Sequence, residues 1–169
     1  MTKEQVLVWS GGMDSTCLLF DLLKEHDKLK IISFTNSKLS SGDEDSKARQ
    51  QILKTLNKYH NGKFVYIERP LELMNHYQGS HWFTSLSMLI RKDSDVHMGY
   101  IRTDDFWHLK DNLESAFYAI QKMDDIDSKL IYDYEWLTKE QIIEKAKSIG
   151  IYNICHITKY IEENRGYVR

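Results

Sequence analysis

Seven consecutive residues, Ser10-Gly-Gly-Met-Asp-Ser-Thr16, are the part of this 169-residue chain whose types and spacing can do chemistry. Gly11 and Gly12 permit positive φ and close backbone approach, so the amides of a turn and of the first helical residues can converge on an anion. Ser10, Ser15 and Thr16 add hydroxyl donors. Asp14, expected at the N-cap position, is suited to capping a helix or to reaching a magnesium ion held by phosphates. The string reads as a phosphate cradle. It is not the GxxxxGK[ST] loop of kinases and GTPases, because no lysine follows the glycines.

Three further stretches carry candidate groups. Thr35-Asn-Ser-Lys38 follows a second apolar run and either borders the cradle or is an ordinary solvated loop. Gly99-Tyr-Ile-Arg-Thr-Asp104 offers a guanidinium at Arg102, a hydroxyl at Thr103 and a carboxylate at Asp104, unless Arg102 pairs on the surface with Asp104 or Asp105. Lys139 stands in the first turn of a late helix, where it opposes the helix dipole unless an anion sits nearby; an exposed lysine is the plain alternative. His76, His81, His97, His108 and His156 show no HxH or HExxH spacing and read as surface or core residues rather than ligands. Cys17 reads as packing, and Cys155, with no base in view, as inert.

The elements that must position these groups alternate. Val6 to Trp9 is a short apolar run of the kind buried on both faces of a parallel sheet, and helical spacing resumes from Cys17 to Leu23. Lys30 to Thr35 reads as a second strand, Asn36 to Asp45 as a loop, Ser46 to His60 as a helix, and Lys63 to Glu68 as a third strand closed by Pro70. Leu71 to Ser80 reads as irregular. A helix over Trp82 to Arg91, a strand over Asp95 to Ile101, a helix over Lys110 to Lys122, a strand over Lys129 to Tyr134 and a helix from the Thr138 cap to Ile149 complete the series, with Gly150 as the stop. This order predicts an α/β fold, a doubly wound and mainly parallel five-stranded sheet flanked by helices, with ligands gathered at the carboxyl ends of the strands.

Composition narrows the partners. A net charge of −2 with scattered Lys and Arg does not advertise nucleic acid, and small nucleotides fit better. Two cysteines without a CxxC pair suit a reducing compartment, and no 18-residue apolar run or secretory leader is read. The expectation is one domain over residues 1–169, cytoplasmic, with no membrane partner.

The Ser10–Ser15 string resembles the SGGxDS signature of the PP-loop ATP pyrophosphatase family. That resemblance implies an adenine nucleotide alpha hydrolase-like fold of the HUP type, with ATP gripped at its pyrophosphate end and AMP transferred to the substrate. Gly99-x-x-Arg-Thr-Asp104 and Trp136-Leu-Thr-Lys-Glu140, followed by Ala146 and Gly150, are similar to the GxxETD segment and the late lysine-containing helix of the 7-cyano-7-deazaguanine synthases. The resemblance implies an ATP-dependent carbon-nitrogen ligase of queuosine-type biosynthesis, which adenylates 7-carboxy-7-deazaguanine, lets ammonia displace AMP to give an amide, and by a second activation dehydrates that to a nitrile; another PP-loop enzyme, amide-forming or tRNA-modifying, or a non-catalytic nucleotide-binding module are the alternatives. Carried over by position, Ser10, Gly11, Gly12, Asp14, Ser15 and Thr16 would hold the phosphates of ATP, with Asp14 also meeting Mg2+, Lys139 would touch phosphate, and Thr103 and Asp104 would face the substrate; the strand end at Thr35 and Lys38 is expected to help hold ATP, and Asp14, Arg102 and Lys139 are the expected catalytic groups. The family also implies a homodimer. Its four-cysteine zinc site has no counterpart around Thr158-Lys-Tyr160, so no zinc is expected, and Gln78-Gly-Ser-His-Trp82 and His108-Leu-Lys-Asp-Asn112 depart from the family's acceptor-side segments.

Overall fold

The computed structural model describes residues 3–36, 42–60, 62–71 and 78–153. In chain order the elements are β1 (Glu4–Val8), α1 (Met13–Glu25), β2 (Leu29–Asn36), α2 (Gly42–Tyr59), β3 (Phe64–Leu71), α3 (Gln78–Leu89), β4 (Ser94–Met98), a 3-10 turn (Asp105–His108), α4 (Lys110–Met123), β5 (Lys129–Ile131) and α5 (Lys139–Ser148). The five strands form one sheet in the order β3-β2-β1-β4-β5, and every pairing is parallel. The expected α/β class and doubly wound parallel sheet are therefore found.

The alternation of side chains along each strand divides the core in two. Leu7 and Ile31 point with Leu19, Leu23, Leu56 and Ile142 into a layer under α1, α2 and α5. Val6, Val8, Ile32 and Val96 point the other way, against Phe83, Leu86, Ile90 and Phe117 of the α3 and α4 side. Central strands buried on both faces read as near-continuous apolar runs, which is why Val6-Leu-Val-Trp9 carries no polar residue. Each fully buried aliphatic or aromatic side chain here contributes about 1.5–3 kcal/mol, relative to exposure, to holding a helix on the sheet.

The direction in which strands are added across the sheet reverses between β1 and β4. From β1 the chain winds outward through β2 to β3, then returns to β4 and winds the other way to β5. The crevice at the carboxyl ends of β1 and β4 is where such sheets take ligands, because loops diverge there and helix N-termini point into it.

Several boundaries differ from the sequence reading. β3 runs through Pro70 to Leu71, because it is an edge strand and proline's missing N–H costs nothing on the unpaired side. α2 begins at Gly42 rather than Ser46. α3 starts at Gln78, four residues before Trp82. β4 ends at Met98 and β5 at Ile131; the chain after β5 turns instead, with the Glu135 amide donating to the Tyr132 carbonyl and that of Leu137 to Tyr134. Among the described residues no helix is long and apolar enough to cross a membrane. Lys38, His76, Cys155, His156 and Thr158-Lys-Tyr160 lie outside the described residues.

Candidate active site

The turn from β1 to α1 is built from its own short side chains. Gly11 adopts φ +87, open to glycine at little cost, and Gly12 is the N-cap. Asp14 is consequently the second helical residue, not the cap, and makes no capping bond. Its carboxylate is released toward the mouth of the crevice. The Ser10 hydroxyl accepts from the Gly12 amide at 3.1 Å and lies 2.9 Å from the Ser15 hydroxyl. No side chain caps α1, and the first-turn amides of Met13, Asp14 and Ser15 find no acceptor among the described residues. A 13-residue helix presenting such donors is a ready anion site.

Thr16 differs from expectation. It is fully buried, and its hydroxyl receives the Trp9 indole N–H at 2.9 Å. It ties α1 to the end of β1 and supplies no donor to the mouth. Thr35 is likewise engaged: its hydroxyl donates to Glu68 and accepts from Arg49 Nη2 at 2.7 Å. It braces the turn from below.

The β4 side brings up the remaining groups. Gly99 abuts α1 so closely that an added Cβ would stand 2.9 Å from both Cα and N of Ser15 and 3.2 Å from the Asp14 carbonyl carbon. A glycine is required there by space, not by φ. Beyond it, Asp104 Oδ2 accepts from the Ile101 amide at 2.9 Å, folding the loop back on itself. Burial above all, and then the nearby Asp14 charge, push the Asp104 carboxyl above its ordinary value, against the pull of the Ile101 amide and Lys139.

Lys139, at the start of α5, reaches both oxygens of Asp14 at 2.8 Å. The Thr138–Gln141 capping box fixes that helix end. The lysine that opposes its own helix dipole thus has an anion to meet. Asp14, Lys139 and Asp104, spread over more than a hundred positions of sequence, converge where α1 begins. Arg102 does not join them by an ion pair: its guanidinium lies over the exposed Trp136 ring, 4.6 Å from the centroid. Thr103 is exposed on the same loop.

Sequence reasoning missed Arg49 and Glu68. Arg49 is only 2% exposed, an unusual state for arginine, and pairs with Glu68 at 2.7 Å beneath the turn. Burial raises the Glu68 carboxyl, but hydrogen bonds from Thr35 and Arg49 and the guanidinium charge more than offset that and hold it below its ordinary value. The one available signal was an arginine on the apolar stripe that includes Ile52, Leu53 and Leu56. His97, read as surface or core, is buried between Asp133 and Gln5, each 2.9 Å from a ring nitrogen. Cys17 is core, as expected.

A cleft of about 890 Å3 opens at the opposite, amino end of the strands, between Lys28, Lys63, Phe64 and Lys92. It gathers none of the groups at the start of α1. Lys63 and Lys92 there pair with Asp27 and Glu4.

The described crevice fits a magnesium-bound triphosphate in its donor set: unpaired amides and serine hydroxyls for phosphate oxygens, a lysine for their charge, and Asp14 for the metal. Asp104 is the second carboxylate at the mouth, and among the described residues no cluster of three or more metal-ligating side chains forms. A cation would therefore be shared with phosphates rather than caged.

No protein-family model matches the chain, and no curated protein matches it. Among solved structures, a 4-thiouridine synthetase in complex with RNA and bound ATP shares the fold with a TM-score of 0.67 at 18% identity, over 92% of this chain. The chain spans 42% of that protein's length. A predicted subunit of tRNA methyltransferase from Methanocaldococcus jannaschii matches with a TM-score of 0.50 at 14% identity, over 86% of this chain and 75% of its own. At these identities the likeness is one of fold.

Proposed function

We propose that this protein is a PP-loop enzyme that uses ATP to adenylate a carboxylate, with 7-carboxy-7-deazaguanine as the acceptor and ammonia as the amine. The observation that carries the reading is the meeting of Asp14 and Lys139 at the uncapped start of α1, with Asp104 beside them. The fold shared with a 4-thiouridine synthetase solved with ATP supports the nucleotide half. The acceptor half rests on the Gly99–Asp104 and Trp136–Glu140 segments.

The proposed transfer is in line. An acceptor carboxylate oxygen bonds to the α-phosphorus as the bond to the β-phosphate breaks, and pyrophosphate leaves into the amide cradle of α1. Ammonia then takes the acyl carbon and AMP departs. Lys139 would trade its Asp14 partner for phosphate oxygens, and Asp14, Ser10 and Ser15 would orient the leaving group. A magnesium ion, held by Asp14 with the phosphates, would neutralise charge on pyrophosphate. No covalent nucleophile is needed, which agrees with the burial of Cys17 in the core.

The test is pyrophosphate and AMP release from ATP and magnesium, with and without 7-carboxy-7-deazaguanine and ammonia. Release that depends on the acceptor supports the proposal; ATP binding with no release for any carboxylated deazapurine refutes the ligase reading. An RNA acceptor is the second reading, favoured by the RNA-bound state of the synthetase that shares this fold. A tRNA arm in the same assay separates the two.

A further inference from the structure

We propose that Arg49 is a positioning residue for the nucleotide turn: its guanidinium holds the Ser10–Gly11 peptide in the orientation that receives phosphate. This rests on the reading of that turn as the triphosphate site.

Three observations carry it. The first is the clamp on a single carbonyl, since Arg49 Nη1 donates to the Ser10 carbonyl oxygen at 3.0 Å. In a planar trans peptide the C=O and the following N–H point in opposite directions. Holding the Ser10 oxygen toward the guanidinium therefore aims the Gly11 N–H away from it. A flipped peptide would turn a carbonyl, with its negative end, into an anion site. Gly11, at φ +87, has the freedom to flip, so something outside the turn must hold it.

The second observation is steric. A Cβ on Gly11 would lie 2.8 Å from Arg49 Cγ and 3.4 Å from Cδ, so the arginine stem fills the space beneath that residue. The third is the way the guanidinium is itself fixed. Nη2 donates to Glu68 and to Thr35 at 2.7 Å each, and Glu68 also receives the Ser46 hydroxyl at 3.3 Å. One planar fork thus locks α2, β2 and β3 to the turn, an arrangement a lysine's point charge cannot reproduce.

Stability alone is a weak reason for this network. Buried ion pairs are often replaceable by apolar residues at no cost to folding, and Arg49 Nε is buried with no acceptor among the described residues. A group kept at that cost beside a turn of unpaired amides has a task at the turn. Its permanent positive charge, partly offset by Glu68, would also lie under phosphates bound at the turn.

The test compares wild type with Arg49→Lys, Arg49→Met and Arg49→Ala, titrating ATP with magnesium and inorganic pyrophosphate by calorimetry. Arg49→Lys keeps stem and charge, so it is expected to fold and yet bind ATP about tenfold more weakly. Arg49→Met is expected to lose about a hundredfold. Low-millimolar guanidinium is expected to restore ATP binding to folded Arg49→Ala. Folded Arg49→Lys that binds ATP as wild type does, or Arg49→Ala that guanidinium fails to rescue, overturns the proposal. Wild type that binds neither ATP nor pyrophosphate overturns it together with the triphosphate reading, and so separates the two failures.

Discussion

Replacing Gly99 with alanine isolates the contact that holds the crevice at its working width. The new Cβ would stand 2.9 Å from Cα and N of Ser15, whereas ordinary contact begins at 3.4 Å. The neighbours are backbone atoms of the first turn of α1, with no flexible side chain to swing away. The turn must therefore shift by about half an ångström. Overpacking of this kind costs about 1–3 kcal/mol, or about 2–4 °C of melting temperature per kcal/mol in a protein of this size. A misplacement of about 1 Å costs on the order of a hundredfold in a positioned site, so half of that predicts about tenfold weaker ATP binding. Gly150→Ala supplies the control. Gly150 sits at φ +76 after α5 with nothing within 4 Å of an added Cβ, so alanine there meets backbone strain of about 1 kcal/mol and no neighbour. Thermal melts and ATP calorimetry on both variants should show a comparable class of destabilisation but a binding defect in Gly99→Ala alone. Gly99→Ala that binds ATP within twofold of wild type, or Gly150→Ala that is equally impaired, would refute the steric argument.

Other outcomes follow from the charges. Lys139→Met should weaken ATP binding about tenfold while moving stability by less than about 1 kcal/mol, since Lys139 keeps a third of its side chain in water and exposed pairs contribute little; calorimetry beside thermal melts checks both. Asp104→Asn keeps an oxygen for the Ile101 amide and removes a charge that burial and Asp14 disfavour. Because the folded carboxyl is raised, its ionised form is penalised at neutral pH and the penalty vanishes on acidification, so the variant should melt higher than wild type at pH 7, with the gain shrinking as pH falls toward 3.8. Glu68 has the opposite sign. Its carboxyl is depressed, so its contribution is present above 4.5 and lost as pH falls through the lowered value. Glu68→Gln should therefore cost about 3 kcal/mol at pH 7, the low side for breaking a buried pair, and its melting curve should approach that of wild type in acid.

The sequence disclosed most where local chemistry and long-range position coincide. The run Val6 to Trp9, two glycines and a renewed helical period specified strand, turn and helix together, and the structure keeps all three. The dipole argument left Lys139 as readily an exposed lysine, and the family resemblance singled it out; in the structure it meets Asp14. Thr16 was misread because its hydroxyl type suggested a donor at the mouth, while only the fold shows it fully buried, accepting from the Trp9 indole. Arg49 was hidden for a different reason: a buried arginine and an exposed one look alike in sequence, and its partners Ser10, Thr35 and Glu68 lie on three other segments. Strand ends were least legible, as at β5, where Tyr132-Asp-Tyr134 continues the apolar pattern but turns to aim α5 at the crevice.

The central claim concerns one place, the start of α1, and amide chemical shifts test it directly. Adding pyrophosphate, and then ATP with magnesium, to isotopically labelled protein should shift the backbone resonances of Gly11, Gly12, Met13, Asp14 and Ser15 first and furthest, and Asp14→Asn should blunt the magnesium-dependent part. Shifts confined to the lysine cleft at the amino end of the strands, or none at saturating nucleotide, would contradict the account.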